Sequence, residues 1–283
     1  MAQAPYSIED LYSEFNKIDG YFWEKTQDGG GTRGFANESI RKYCLYNYGL
    51  KYGYCLSYLR KASSGVINLL DNLKKYNLEY DKLAEYAILF LSYKLNQNPE
   101  KKLTDLNDIY TKDIEINKFY NNKIKDNGPT YKEIIDKKKD LMDIKEISKF
   151  NEAFSILCKL YNEIKNNKTN CEKCSKEANE FVQSFEKLND DSNINGNASY
   201  SKLLFTLSDD YNNLKNKCTD FPTLPKIKTP PSTLIPVLST FSVIPVFLGI
   251  AYKYSLFGVD KLFQRQYLRK KLKKITKKMK LNI

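Results

Sequence analysis

EYDKLAEYAILFLSYKLN, residues 79–96, sets apolar side chains around most of a helix: Leu83, Ala87, Phe90 and Leu91 share one face, with Ile88 and Leu95 beside it. A helix that is apolar nearly all round belongs at the centre of a bundle. The stretch therefore calls for other helices to wrap it. Ile147, Phe150, Phe154, Leu157, Tyr161 and Ile164 recur at three- and four-residue steps, a single apolar stripe that predicts an amphipathic helix. Pro129-Thr130-Tyr-Lys-Glu133 and Thr169-Asn-Cys-Glu172 fit the capping box, in which hydroxyl and carboxylate satisfy orphan backbone N–H groups. A last helix is expected from about Ser199 to Lys217. Period-two alternation is not convincing anywhere, so the expected fold class is all-α, with roughly six to eight helices. Asp28-Gly-Gly-Gly-Thr-Arg-Gly34 reads as a surface loop without the Gly-Lys-Ser/Thr ending of a phosphate cradle. Tyr43 to Tyr58, crowded with Tyr and Cys, fixes neither helix nor strand.

Beyond the bundle the composition changes. Six of the nine prolines fall within 222–245, and FPTLPKIKTPP reads as an extended stalk. From Thr233 to Tyr252 twenty residues carry no charge, TLIPVLSTFSVIPVFLGIAY. As a helix this run spans roughly 30 Å, the thickness of a bilayer core. Pro236 and Pro245 would break an aqueous helix, whereas membrane helices tolerate prolines better. The net charge of +12 is concentrated beyond this span: residues 253–283 hold eleven Lys or Arg and one acid, leaving 35 bases against 33 acids in residues 1–252. A nearly neutral main domain is not the basic surface that duplex nucleic acid requires. The positive-inside rule puts the tail in the cytoplasm and the large domain on the other side. Leu268, Leu272, Ile275 and Met279 make one apolar stripe in a basic amphipathic helix. Arg269, Lys270, Lys271, Lys273, Lys274, Lys277 and Lys278 flank it and are the expected contacts to anionic lipid, each base worth about 1 kcal/mol near the surface. No charged-then-apolar leader opens the sequence, so no cleavable signal peptide is expected.

All six cysteines, Cys44, Cys55, Cys158, Cys171, Cys174 and Cys218, precede the predicted span. An even set on the non-cytosolic side suggests disulfides, with fifteen connectivities open. Cys158, on its apolar stripe, also reads as a reduced core thiol. A clamp between Cys218 and the Cys171–Cys174 turn would tie down the last helix before the stalk. Cys171-Glu-Lys-Cys174 has zinc-like and redox-like spacing, but it lacks a second pair, any His and a βαβ surround, so no metal, cofactor or redox chemistry is expected. The absence of His also removes the commonest general base and every Ser-His or Cys-His pair. Asp190-Asp191 and Asp209-Asp210 read as solvated helix ends, and no catalytic site is predicted. Sequons at Asn37, Asn167 and Asn197 add weak support for an external domain in so Asn-rich a chain.

Particular strings carry a likeness. Glu85-Tyr-Ala-Ile-Leu-Phe-Leu-Ser-Tyr-Lys-Leu95, Asp136-Lys-Lys-Lys-Asp-Leu-Met142, ISKFNEAFSILCKL from Ile147 to Leu160, Ser199-Tyr-Ser-Lys202, Leu207-Ser-Asp-Asp-Tyr211, Ser255-Leu-Phe-Gly258 and Gln266-Tyr-Leu-Arg269 resemble the Plasmodium interspersed repeat (PIR) family in its rodent-malaria Cir/Bir/Yir branch. The likeness runs in order over residues 65–283 and fades before residue 60, where it carries over a pairing of Cys44 with Cys55. It implies a multigene variant antigen exported toward the infected host cell, with a helical disulfide-containing ectodomain, one transmembrane helix and a basic tail. It brings no enzymatic activity and no cofactor. Export in that family commonly proceeds without a cleavable signal, and no Arg-x-Leu-x-Glu/Gln/Asp motif occurs here.

The expected protein is a disulfide-stabilised helical bundle ectodomain with one C-terminal transmembrane helix and a basic amphipathic tail. Its parts are a Cys/Tyr-rich region 1–60 packed on the bundle, the helical ectodomain 61–218, the stalk 219–231, the span 232–252 and the tail 253–283. Its expected role is a non-enzymatic variant antigen in a parasite, vacuolar or infected host-cell membrane, with an unidentified host protein as candidate ligand. An intracellular scaffold that remodels parasite or vacuolar membranes is the alternative, and topology separates the two.

Overall fold

The computed structural model describes residues 7–26, 32–44, 55, 57–98, 106–166 and 171–228. The chain divides into two compact units, Met1–Pro230 and Pro231–Ile283, and every described residue lies in the first. The expected span, the tail with its lipid-contact bases, Asn167 and Thr169 lie outside the described residues.

In chain order the described α-helices are α1 (Ile8–Asp19), α2 (Glu38–Arg41), α3 (Tyr58–Leu73), α4 (Tyr80–Asn96), α5 (Leu106–Ile109), α6 (Tyr131–Asp136), α7 (Ile144–Ile147), α8 (Asn151–Asn166), α9 (Ser175–Asp190), α10 (Ser192–Asn195) and α11 (Ala198–Lys215). α4 is the bundle centre that residues 79–96 call for: it packs against α3, α6 and α8, and every residue from Leu83 to Ser92 is buried. The stripe from Ile147 to Ile164 is buried throughout, but it does not form one uninterrupted α-helix. α7 ends at Ile147, Ser148–Phe150 wind as a 3-10 turn, and α8 starts at Asn151. The tighter turn keeps Ile147 and Phe150 on the core side at the change of element.

Caps fix several helix starts. The Thr130 hydroxyl accepts from Glu133 N at 3.1 Å while the Glu133 carboxylate accepts from Thr130 N at 2.7 Å, a complete capping box. Of the other predicted box only Glu172 is described, within a 3-10 turn over Cys171–Cys174. Ser7 opens α1 and Asn197 opens α11, each side chain accepting from the first turn. The reversal between α3 and α4 passes through Asn77 at φ 53°, a left-handed conformation that Asn tolerates better than most residues.

One expectation for the N-terminal part needs correcting. The fold is mostly helical rather than all-α, because Phe22–Thr26 (β1) and Thr32–Ala36 (β2) pair antiparallel, Trp23 opposite Phe35 and Lys25 opposite Arg33. Thr32, Arg33 and Gly34, assigned above to a loop, lie in β2. β1 left no alternating signature because only its root is covered: from Trp23 to Thr26 it is all exposed. Phe22 anchors it. A Cβ on Gly65 of α3 would lie 2.9 Å from the Phe22 ring, so the missing side chain is what lets the hairpin root reach the helix. α1 lies against α3 and α8 with Leu11, Tyr12, Phe15 and Ile18 wholly enclosed, and α3 itself begins at Tyr58.

Candidate functional site

Two disulfides frame the described unit. Cys44 is bonded to Cys55 across a sequence separation of 11, and Cys171 to Cys218 across one of 47. In the chain-entropy account, closing loops of these sizes is worth about 3 and about 4 kcal/mol. The second is one of the two clamps that the Cys171–Cys174 turn and Cys218 allowed, and it joins the turn before α9 to the residues after α11. Cys158 and Cys174 keep their thiols, so neither is a disulfide partner here. Cys158 belongs to the buried face of α8, where burial pushes the thiol well above its ordinary pKa. The Cys174 thiol donates to Glu163 Oε2 at 3.5 Å, and burial first, then Glu163, pushes its pKa up to about 11. With Cys171 in a disulfide, the Cys171–Cys174 pair does not offer the two thiolates that a zinc site would need.

The stretch read as a stalk begins as part of the domain. Phe221 is buried, Tyr211 Oη donates to the Pro222 carbonyl at 2.9 Å, and Asn189 on α9 holds both the Lys226 carbonyl and Lys228 N. Residues 222–228 thus run without helix yet bonded to α9 and α11.

Asp210 corrects a sequence reading. It is no solvated helix end: it sits within α11, 2% exposed. Tyr12 Oη of α1 donates to its carboxylate at 2.8 Å and Tyr86 Oη of α4 at 2.9 Å, while Tyr161 Oη of α8 donates to its backbone carbonyl at 2.6 Å. One residue thereby ties α11 to three other helices. Burial pushes its carboxyl up to about 6, against the pull of Lys82 and the two tyrosine donors. A second enclosed acid, Glu85, accepts from Thr206 Oγ1 at 3.0 Å and faces Lys138 at 3.3 Å and Lys202 at 3.6 Å. Such groups sit where burial requires partners, and here the partners come from other segments of the fold and belong to the packing. Asp191 does lie at a helix end, capping α10 and pairing with Lys149 at 2.7 Å.

Sequence reasoning also missed an exposed aromatic. Trp23, the one tryptophan of the chain, is 42% exposed and stacks on Phe35 with ring centroids 6.1 Å apart. A groove of about 310 Å³ runs beside it, lined by Gly34, Ala36, Arg41, Cys55 and Lys61. Its only sequence signal was a Trp set among charges. The sequon residues Asn37 and Asn197 are exposed helix caps that accept from Ser39 N and Ser199 N.

Fold and site together define a disulfide-stapled, mainly helical domain whose buried charges are used in packing. A family model described as Plasmodium variant antigen protein Cir/Yir/Bir matches residues 12–253. The structure described as "Structure of a Plasmodium PIR protein ectodomain" is similar at 32% identity and a TM-score of 0.57, with 79% of this chain and 100% of that chain covered. Among curated proteins nothing matches. The chain belongs to the Cir/Bir/Yir family of Plasmodium variant antigens, within the PIR proteins.

Proposed function

We propose that this protein is a non-enzymatic, membrane-anchored surface or exported antigen whose helical domain faces away from the cytosol. In this reading a helix over residues 232–252 holds it in a parasite, vacuolar or infected host-cell membrane. Arg269, Lys270, Lys271, Lys273, Lys274, Lys277 and Lys278 then meet anionic headgroups on the cytoplasmic side. The exposed surface varies between family members to escape antibodies and offers a site to a host protein.

The observation that carries the reading is the pair of disulfides, one beside the hairpin and one beside the end of α11, in a member of a variant-antigen family. Such bridges persist in oxidising compartments and are rare in a reducing cytosol. Brief protease treatment of intact infected cells, or of sealed vesicles of known orientation, is expected to remove residues 1–229 and spare the tail. A protected N-terminal domain would defeat the surface reading and favour an intracellular membrane scaffold.

A further inference from the structure

The three cysteines at the α9 end of the unit do not share one role. Cys171 and Cys174 are the first and last residues of a single 3-10 turn, and Cys171 carries the bond to Cys218. In such a turn residues i and i+3 lie one above the other, and at about 2 Å rise per residue their Cα atoms are roughly 6 Å apart. That is within the span of a disulfide. At that backbone spacing the turn itself admits a bridge from Cys174 to Cys171, beside the existing bond to Cys218.

We propose that Cys174 is a resolving thiol for the Cys171–Cys218 bond, and that residues 171–174 with Cys218 form an intramolecular thiol–disulfide exchange site that fastens or releases the segment after α11. The step needs no outside oxidant. Cys174 loses its proton to solvent, its thiolate attacks Cys171 Sγ, the Cys171–Cys218 bond breaks, and Cys218 leaves as a thiolate that takes up a proton. One disulfide is present before and one after, the second lying within a single turn.

Burial and charge act as the brake. Cys174 is fully enclosed, and the charged groups that act on it include Glu163 and Lys159 on α8 and Glu177 on α9, with the two acids outweighing the lysine. At pH 7.4 a thiol titrating at about 11 is ionised in roughly one molecule in several thousand, and only the thiolate attacks. The fastened form is thus kinetically protected. Once Cys218 is released, the segment after α11 is held by non-covalent ties, among them Tyr211 Oη to the Pro222 carbonyl at 2.9 Å, Lys215 Nζ to the Phe221 carbonyl at 2.6 Å and the two bonds of Asn189. Each of these opens reversibly. Exchange turns a covalent fastening into one that can let go.

The test uses the full-length chain in detergent, incubated with iodoacetamide between pH 7.5 and 9.5, quenched with acid, digested with pepsin and mapped by mass without reduction. The expected product carries a Cys171–Cys174 bridge and an alkylated Cys218. It should form at a rate independent of protein concentration that rises about tenfold per pH unit, following the thiolate fraction. Glu163→Gln should speed it several-fold at fixed pH. Cys174→Ser, checked for an unchanged circular dichroism spectrum, should abolish it while Cys44–Cys55 stays intact in every sample. Alkylation of Cys174 with Cys171–Cys218 still bonded, or release of Cys218 as fast in Cys174→Ser as in the native chain, would overturn the proposal.

Discussion

α4 and the β1–β2 hairpin invert the usual placement of side chains. α4 holds charges in the interior: Glu85 is wholly enclosed among Lys138, Lys202 and Thr206, and Lys94 is 2% exposed. The hairpin leaves an indole in the open. What separates them is the supply of partners. Lys94 pairs with Asp19 at 2.7 Å and lies 4.3 Å over the Phe22 ring, so its ammonium is matched where it is buried. Trp23 stacks on Phe35, and from Trp23 to Thr26 β1 is exposed. Burial in this molecule follows which neighbours a position has, and hydropathy alone does not report that.

The sharpest way to break the comparison is to remove packing at the centre. Phe154 of α8 is wholly buried with its ring centroid 5.2 Å from Phe15, 5.5 Å from Tyr93 and 6.2 Å from Tyr12. Phe154→Ala is expected to cost about 4 kcal/mol in urea unfolding, the lost transfer energy plus an aromatic-lined cavity. A cost near that of a surface substitution would mean that this cluster does not bear the fold.

Asp210 comes next, and its effect depends on pH. Its carboxyl titrates at about 6 in the folded protein, above the ordinary carboxylate value that the unfolded chain keeps. Between those two values the folded state binds more protons, so this residue contributes stability at low pH that is lost as pH rises through 6. Asp210→Asn has no such titration. The stability of the native protein relative to Asp210→Asn should fall by up to about 3 kcal/mol between pH 4 and 7, read from urea midpoints at each pH. A difference that holds constant with pH would show that Tyr12 and Tyr86 fully compensate the buried charge.

These two residues also mark what the sequence could disclose. Phe154 was legible because its stripe repeats at helical spacing within one segment, so local periodicity reported its burial. Asp210 was not. Next to Asp209 it reads as two solvated acids, and the donors that make its burial tolerable stand on α1 and α4, 198 and 124 residues away in sequence. Cys171 with Cys218 falls between the cases: a clamp was expected, but which cysteine of the turn would take it depends on how the turn faces α11, a tertiary fact. The hairpin was lost for the opposite reason, since β1 is exposed from Trp23 to Thr26 and so needs no alternation.

The smallest expected effect is at Trp23, and the lone indole gives a direct readout. Among the described residues the ring contact of this side chain is the Phe35 stack, so Trp23→Ser should change unfolding free energy by no more than about 1 kcal/mol, the size of a cross-strand aromatic pair. Tryptophan fluorescence, excited selectively on the red edge where tyrosine does not absorb, comes from this residue alone. At 42% exposure it should emit to the red of a buried indole and be quenched by acrylamide in the folded state, with only a modest further gain on unfolding. Quenching that begins only with unfolding, or a loss on substitution approaching that of Phe154→Ala, would place Trp23 in the interior. The contrast between a helix that buries charge and a hairpin that exposes an aromatic would then fail at its outer member.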